Sequence, residues 1–234
     1  MCPASDECLD QQHSCMDSAG AKAPFPNLDH LTLALCEQVY EPADDTFLLC
    51  DALTQEEAIR VDARIAVEVG SGSGCCISHL AMLHRAADVP QPHCIATDIN
   101  PHAVLLTRQT AASNGVLVDA VRMNLADGLV ERLAGLVDVL LFNPPYVPTD
   151  DEEVGGSGLS ASWAGGEDGR AVIDRFLPLV KFLLSPSGRC YLVLVEENRP
   201  TELRRYFARQ GLTATVVVKR QAVNEGLMIM RVGR

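Results

Sequence analysis

Basic side chains are scarce in this chain. Its 234 residues carry 19 Lys and Arg against 31 Asp and Glu, a formal net charge of −12. That balance argues against a protein that holds nucleic acid through its own electrostatic field. A basic protein partner suits it, and so does simple solubility. No apolar run approaches the length of a membrane span, so no membrane association is expected. The first residues, "MCPASDECLDQQHSCMDSAGAK", are polar and acidic with no apolar centre, so no secretory signal is expected there. Nine cysteines are present, but Cys2, Cys8, Cys15 and the adjacent Cys75 and Cys76 match no zinc spacing. Without a secretory context they do not read as a disulfide framework either. Reduced thiols in an intracellular protein, cytoplasmic with the nucleus as a second location, are the expectation, with no metal in this chain.

What is present is a regular alternation. Residues 1–26 read as a disordered tail that ends in the turn-prone "PFPN", and 27–234 as one domain. "RIAVEV" (64–69) reads as a buried strand, "GSGSG" (70–74) as a tight turn and "CCISHLAMLHRAA" as a helix. "HCIATDI" (93–99) is the next strand. Asn100 can cap a helix with Pro101 in its first position, stopped by Asn114 and Gly115. "LVDAVRM" (117–123) and "VDVLLF" (137–142) read as strands, with a short helix near 127–134 between them. A helix in "GRAVIDRFLPLVKFLL" leads to a long strand, "GRCYLVLVEEN". Pro200 starts a helix that Gly211 stops. "TATVVVKRQ" and "GLMIMRV" are joined by a short link and should pair antiparallel. Alternating strands and helices imply an α/β fold, a mostly parallel sheet with helices on both faces. Ligands in such sheets bind beyond the carboxyl ends of the strands. The "GSGSG" turn, Asp98 and Asn143 all fall at such ends.

The turn "EVGSGSG" (68–74) has an acid two residues ahead of its first glycine and no lysine after it. Cys75 stands where the third glycine of a dinucleotide fingerprint would fall, and a phosphate-binding lysine is absent. An acid and no cation beside Gly70 and Gly72 suit a cationic, phosphate-free ligand such as S-adenosylmethionine. Asp98, ending the next strand, is placed to accept ribose hydroxyls. The third strand ends "RMNLADGL", where Asn124 or Asp127 could accept an adenine amine. In "FNPPY" (142–146), Pro144 and Pro145 stiffen the corner after a strand. The Asn143 side-chain oxygen and the Pro144 carbonyl could accept both N–H bonds of a planar nitrogen about 3 Å away and aim its lone pair at a methyl group. Tyr146 can pack on the flat acceptor group.

Together "EVGSGSG", "TDIN" and "FNPPY" resemble class I methyltransferases of the HemK type. "VYEPADDTFLLCDAL" (39–53) and "SWAGGEDGRAVIDRFLPLV" (162–180) are similar to the eukaryotic release factor glutamine methyltransferases. The resemblance covers about residues 37–232. It implies a Rossmann-like, seven-stranded sheet with an antiparallel last strand. It also implies methyl transfer from S-adenosylmethionine to the glutamine amide of a Gly-Gly-Gln loop in the class I translation termination factor, leaving S-adenosylhomocysteine. Carried over residue by residue, the cofactor contacts fall on Thr46, Glu68, Gly70, Gly72, Asp98, Asn124, Leu125 and Asn143. The catalytic stretch falls on Asn143, Pro144, Pro145 and Tyr146. Asn143, Tyr146 and Trp163 would meet the substrate, with the long loop 148–169 as a flap. Asn124 departs from the family's usual acid, which would weaken the adenine contact by about 1 kcal/mol.

The resemblance further implies a heterodimer with a small zinc-containing activator subunit. The edge strand "LVDAVRM" is apolar enough to invite strand addition, and shielding by an N-terminal helix is the alternative. Three other readings stand beside glutamine methylation. Lysine in a histone H4 tail suits the acidic "DDEEVGG" (150–156) but needs a base to take its proton. Adenine-N6 methylation of nucleic acid conflicts with the net charge. A silent scaffold would not need the intact motifs.

Overall fold

The computed structural model describes residues 25–56, 63–150, 152, 162–222 and 226–234. Most of the tail expected over 1–26 lies outside them. Seven strands form one sheet: β1 (Ile65–Val69), β2 (His93–Asp98), β3 (Val118–Arg122), β4 (Val137–Phe142), β5 (Leu184–Leu194), β6 (Thr213–Gln221) and β7 (Gly226–Gly233). Their order is β3-β2-β1-β4-β5-β7-β6. Strands β1 to β5 run parallel, and β7 is antiparallel to both its neighbours. This is the Rossmann-like sheet expected of a class I methyltransferase.

Burial explains why the inner strands read as continuous apolar runs. In β4 every residue but Asp138 is buried, because helices cover both faces. The helices are α1 (Leu33–Cys36), α2 (Asp44–Gln55), α3 (Cys75–Ala86), α4 (Pro101–Ser113), α5 (Ala171–Leu183) and α6 (Pro200–Arg209). Asn100 caps α4 as its sequence predicts, its side-chain oxygen accepting the His102 N–H at 2.9 Å. Helix α2 is fixed to the far half of the sheet by charge. Asp51 pairs with Arg220 of β6, and Glu56 pairs with Arg231 of β7 at 2.6 Å. Phe25 packs on Phe47 of α2, ring centroids 5.2 Å apart, so packing includes the end of the expected tail.

Strand order reverses at β1, which has β2 on one side and β4 on the other. The crevice for a ligand opens at such a reversal. Val69 sits opposite both Thr97 and Phe142, so the chain leaves β1, β2 and β4 at one level. Gly70, Asp98 and Asn143 follow directly.

Three local expectations need correction. Residues 127–134 form a chain of turns, with Leu129 and Leu133 packed against the core and a single four-residue bond from Leu133 N–H to the Leu129 carbonyl. Turn bonds from Leu129 N–H to the Ala126 carbonyl and from Leu136 N–H to the Leu133 carbonyl flank that bond, so no helix propagates. Strand β5 starts at Leu184, straight after α5, because Leu184 pairs with Val137. The intervening "SPSG" is absorbed as a bulge, with Gly188 where a Cβ would lie 2.4 Å from the Val137 carbonyl. The same strand stops at Leu194, and Glu196–Asn198 is a 3-10 turn. Its cause is the Asn198 side-chain oxygen, which accepts the Val195 N–H at 2.8 Å and turns the chain.

At the opposite edge of the sheet, Asp138 ties β1, β4 and β5 together. It accepts the Arg64 and Ile65 N–H groups at 2.8 and 3.1 Å and the Ser185 hydroxyl at 2.6 Å. Asp138→Ala should lower the unfolding free energy by about 2–3 kcal/mol, and Ser185→Ala by about 1 kcal/mol, in urea titrations.

Candidate functional site

Glycine dominates the first wall of the crevice for a steric reason. Gly70 has φ +64°, and a Cβ there would meet the Phe142 ring at 3.4 Å. Gly74 has φ +75°, and its Cβ would fall 2.7 Å from the Thr107 Cα. The turn therefore bends in the left-handed region while pressed against β4 and α4, which only glycine tolerates cheaply. Gly72 lies between them with open space around its missing Cβ.

Two acids hold this turn. Asp98 accepts the Gly72 N–H at 2.9 Å on one oxygen and the Asn100 N–H at 2.8 Å on the other. Burial pushes its carboxyl above the usual range, against the pull of these N–H donors. Glu68, 3% exposed, accepts the Ile77 N–H at 3.1 Å. Ile77 is the third residue of α3, so Glu68 caps a helix whose own N-cap, Gly74, has no side chain to do so. Burial raises the Glu68 carboxyl to about 8, with the Asp98 charge adding to it. The sequence suggested only a contact with a cationic cofactor for Glu68 and gave no sign of this capping.

The second wall is the corner after β4. Asn143 donates its Nδ2–H to the Asp45 carboxylate at 3.0 Å. Its Oδ1 is buried with no partner among the described residues. Tyr146 donates its hydroxyl to the same Asp45 oxygen at 3.2 Å, and Tyr40 does so at 3.1 Å. Thr46, next along α2, donates both its N–H and its hydroxyl to the other Asp45 oxygen, at 2.6 and 3.2 Å. Thr46 thus stands beside Asn143 through Asp45, a residue the sequence did not single out. Only the "EPADDTFLL" context pointed toward it.

The backbone after Asn143 is clamped as well. Asn198, fully buried, donates Nδ2–H bonds to the carbonyls of Tyr146 at 2.9 Å and Asp168 at 3.0 Å. A Cβ on Gly169 would lie 1.8 Å from the Tyr146 carbonyl oxygen, and one on Gly165 would lie 2.6 Å from that of Pro145. The glycines of "AGGEDG" are therefore a seat for "NPPY". Trp163 is half exposed, and its carbonyl accepts the Val147 N–H at 3.1 Å, which sets the indole-bearing residue just past Tyr146. Much of the expected flap, residues 151 and 153–161, lies outside the described residues.

At the third strand end, Leu125 has φ +48° and its carbonyl accepts the Thr97 hydroxyl at 2.7 Å. Asn124 and Asp127 are joined, the Asn124 Nδ2–H donating to Asp127 at 3.2 Å. Arg175 of α5 donates to the Asn124 Oδ1 at 3.3 Å. The two candidate adenine acceptors are one hydrogen-bonded pair, and Asp127 keeps the carboxylate.

Taken as a donor set, this crevice offers carboxylates and an orphan amide oxygen, with no Lys or Arg anywhere in residues 65–84. That chemistry fits a cationic nucleoside such as S-adenosylmethionine, with Glu68 suited to the methionine amine and Asp98 to the ribose. No group of His, Cys, Asp and Glu able to hold a metal occurs among the described residues.

The raised Glu68 value has a measurable consequence. The folded chain holds this proton up to about pH 8, and the unfolded chain only to about 4.5. The folded state therefore binds more protons across that window, and stability falls as pH rises through it. Urea titrations without added cofactor should show wild type less stable at the upper end, and Glu68→Gln should show a clearly smaller change.

Comparison with known proteins gives the family of the chain. Residues 43–155 match the family model described as Methyltransferase small domain. The mouse protein named Methyltransferase HEMK2 is 46% identical over 91% of this chain and 98% of its own length. In fission yeast, the protein named eRF1 methyltransferase catalytic subunit mtq2 is 33% identical over 89% of this chain and 95% of its own. Among solved structures, the E. cuniculi Mtq2-Trm112 complex, described as methylating the eRF1 translation termination factor, matches with TM-score 0.60 and 27% identity over 84% of this chain and 98% of that one. With its glycine turn, paired acids and Asn-Pro-Pro-Tyr corner at one sheet edge, the chain belongs to the HemK-type class I methyltransferases, enzymes that use S-adenosylmethionine.

Proposed function

We propose that this protein methylates the side-chain amide nitrogen of the glutamine in the Gly-Gly-Gln loop of the class I translation termination factor. The observation that carries this reading is the Asn143 side chain, with Nδ2 engaged and Oδ1 buried without a partner among the described residues. A buried unpaired acceptor costs stability and so marks a place where a donor is meant to arrive. An amide nitrogen brings two N–H donors, and the Pro144 carbonyl beside Asn143 is the second acceptor. Holding both bonds fixes the plane of the nitrogen, so its lone pair, weak through delocalisation, points along one line. Tyr146 provides a flat face. S-adenosylmethionine, when bound, supplies an electrophilic methyl group on a positively charged sulfur. Glu68, Asp98, Thr46, Leu125 and the Asn124–Asp127 pair are the residues that would hold it. The related proteins named for eRF1 methylation support the choice of acceptor.

An activator subunit belongs to the same proposal, since a related structure is of a two-protein complex. Strand β3 is a sheet edge, with no further strand beyond it among the described residues. Helix α1 does not shield it. Val39, just after α1, and Leu35 within it pack instead with Ala103 and Leu106 of α4. Leu117 is 82% exposed and Val121 40%, with Ile99 and Leu105 exposed nearby. A strand added by the activator would cover this face and satisfy the open edge. Any zinc would belong to that partner.

The test is transfer of labelled methyl groups by the complex, with the termination factor and a histone H4 peptide offered separately. Label should map to the Gly-Gly-Gln glutamine and fall at least about 100-fold with Asn143→Ala. Label on the histone peptide alone would overturn the choice of acceptor. Leu117→Asp with Val121→Asp should abolish co-purification with the activator while the chain's own fold persists. Retained complex would move the interface elsewhere.

A further inference from the structure

Asp45 is 3% exposed and accepts five hydrogen bonds from the described residues, two from Thr46 and one each from Tyr40, Asn143 and Tyr146. None of its donors is charged, and no ion pair in the described residues includes it. A buried carboxylate held only by neutral donors keeps its negative field uncancelled. We propose that Asp45 is the positioning residue of methyl transfer, orienting the Asn143 amide and placing a negative charge behind it where positive charge develops on the acceptor nitrogen.

The orientation follows from valence. A carboxylate can only accept, so the group of Asn143 that faces it must be the NH2. The oxygen is thereby turned away from Asp45 and left as the group that an N–H of the acceptor would meet. Donation from Nδ2 to an anion also polarises the amide and strengthens Oδ1 as an acceptor. In the transfer, the nitrogen lone pair forms the new N–C bond and the C–S bond pair remains on sulfur. Positive charge passes to nitrogen, which then releases one N–H proton to water. A fixed anion next to Asn143 favours that movement of charge and needs no reorganisation when it occurs.

A purely structural reading exists, since Asp45 lies in the first turn of α2, where acids are commonly stabilising. Two features exceed it. Three of the five donors come from outside the helix, and one of them is the residue whose other end is orphaned. Helix capping alone would leave Asn143 free to rotate.

This inference rests on the proposed transfer to nitrogen, yet it can fail separately. In the full complex, Asp45→Asn keeps size and one acceptor but removes the charge and lets Asn143 turn its NH2 outward. The rate constant at saturating substrate should fall about 100-fold. S-adenosylhomocysteine affinity by calorimetry and KM for the acceptor should stay within about threefold of wild type. Tyr40→Phe, which removes one neutral donor and leaves the carboxylate, should lower the same rate constant by about 3–10-fold with KM unchanged. A full-rate Asp45→Asn enzyme would overturn the proposal. So would a rate loss matched by an equal loss of cofactor affinity or by a lowered melting temperature, or a Tyr40→Phe enzyme of wild-type rate. Mass mapping of the wild-type product tests the glutamine assignment on its own. Label on another nitrogen would overturn that assignment and leave the Asp45 comparison intact, because the argument holds for any nitrogen acceptor.

Discussion

The parallel pairing of β1 with β4 is the contact on which the site depends. Its register sets Val69 against Phe142, so the glycine turn and the Asn-Pro-Pro-Tyr corner leave the sheet side by side. A slip of one residue would turn Phe142 out of the core and Asn143 away from Gly70. The buried apolar faces of both strands forbid that slip. To this fixed pair, which carries Glu68 itself, the rest of the site is added by the end of β2, by loops and by α2.

Those additions are held by buried polar groups, each serving several partners at once. Asn198 joins the Tyr146 carbonyl to the turn at Asp168 and shapes the end of β5. Asp98 joins the glycine turn to the start of α4. Asp45 joins α2 to Asn143 and Tyr146. Such groups cannot be replaced one bond at a time, because removing any of them strands several donors or acceptors at once. The site is rigid for that reason, and rigidity is what an in-line displacement at a weak nucleophile requires.

Electrostatics give the crevice its character. Glu68, Asp98 and Asp45 are all inside or half inside, and no Lys or Arg lies along the first glycine wall. Burial raises the carboxyls of Glu68 and Asp98, so in the bare fold these acids are held against their preference for charge. A cationic ligand relieves that strain, whereas a phosphate-bearing one would meet repulsion. The family's use of a sulfonium cofactor follows from the same arrangement.

The sequence by itself determined the strand and helix alternation, the glycine turn, the Asn100 cap and the stiff corner at Pro144 and Pro145. All of these obey rules that act over a few residues: side-chain period, allowed φ and capping. It misread the two ends of β5 and the segment 127–134, where pairing with Val137, the Asn198 bond and a run of tight turn bonds decide the backbone. Tertiary structure alone decided that Asp45 faces Asn143, 98 positions away, and that Asn198 reaches back 52 positions to Tyr146. It also linked Asn124 to Asp127 and, across 51 positions, to Arg175. No local rule carries such information, because an aspartate in a first helical turn and an asparagine before a helix look the same in sequence whether they cap, float or hold an active site together.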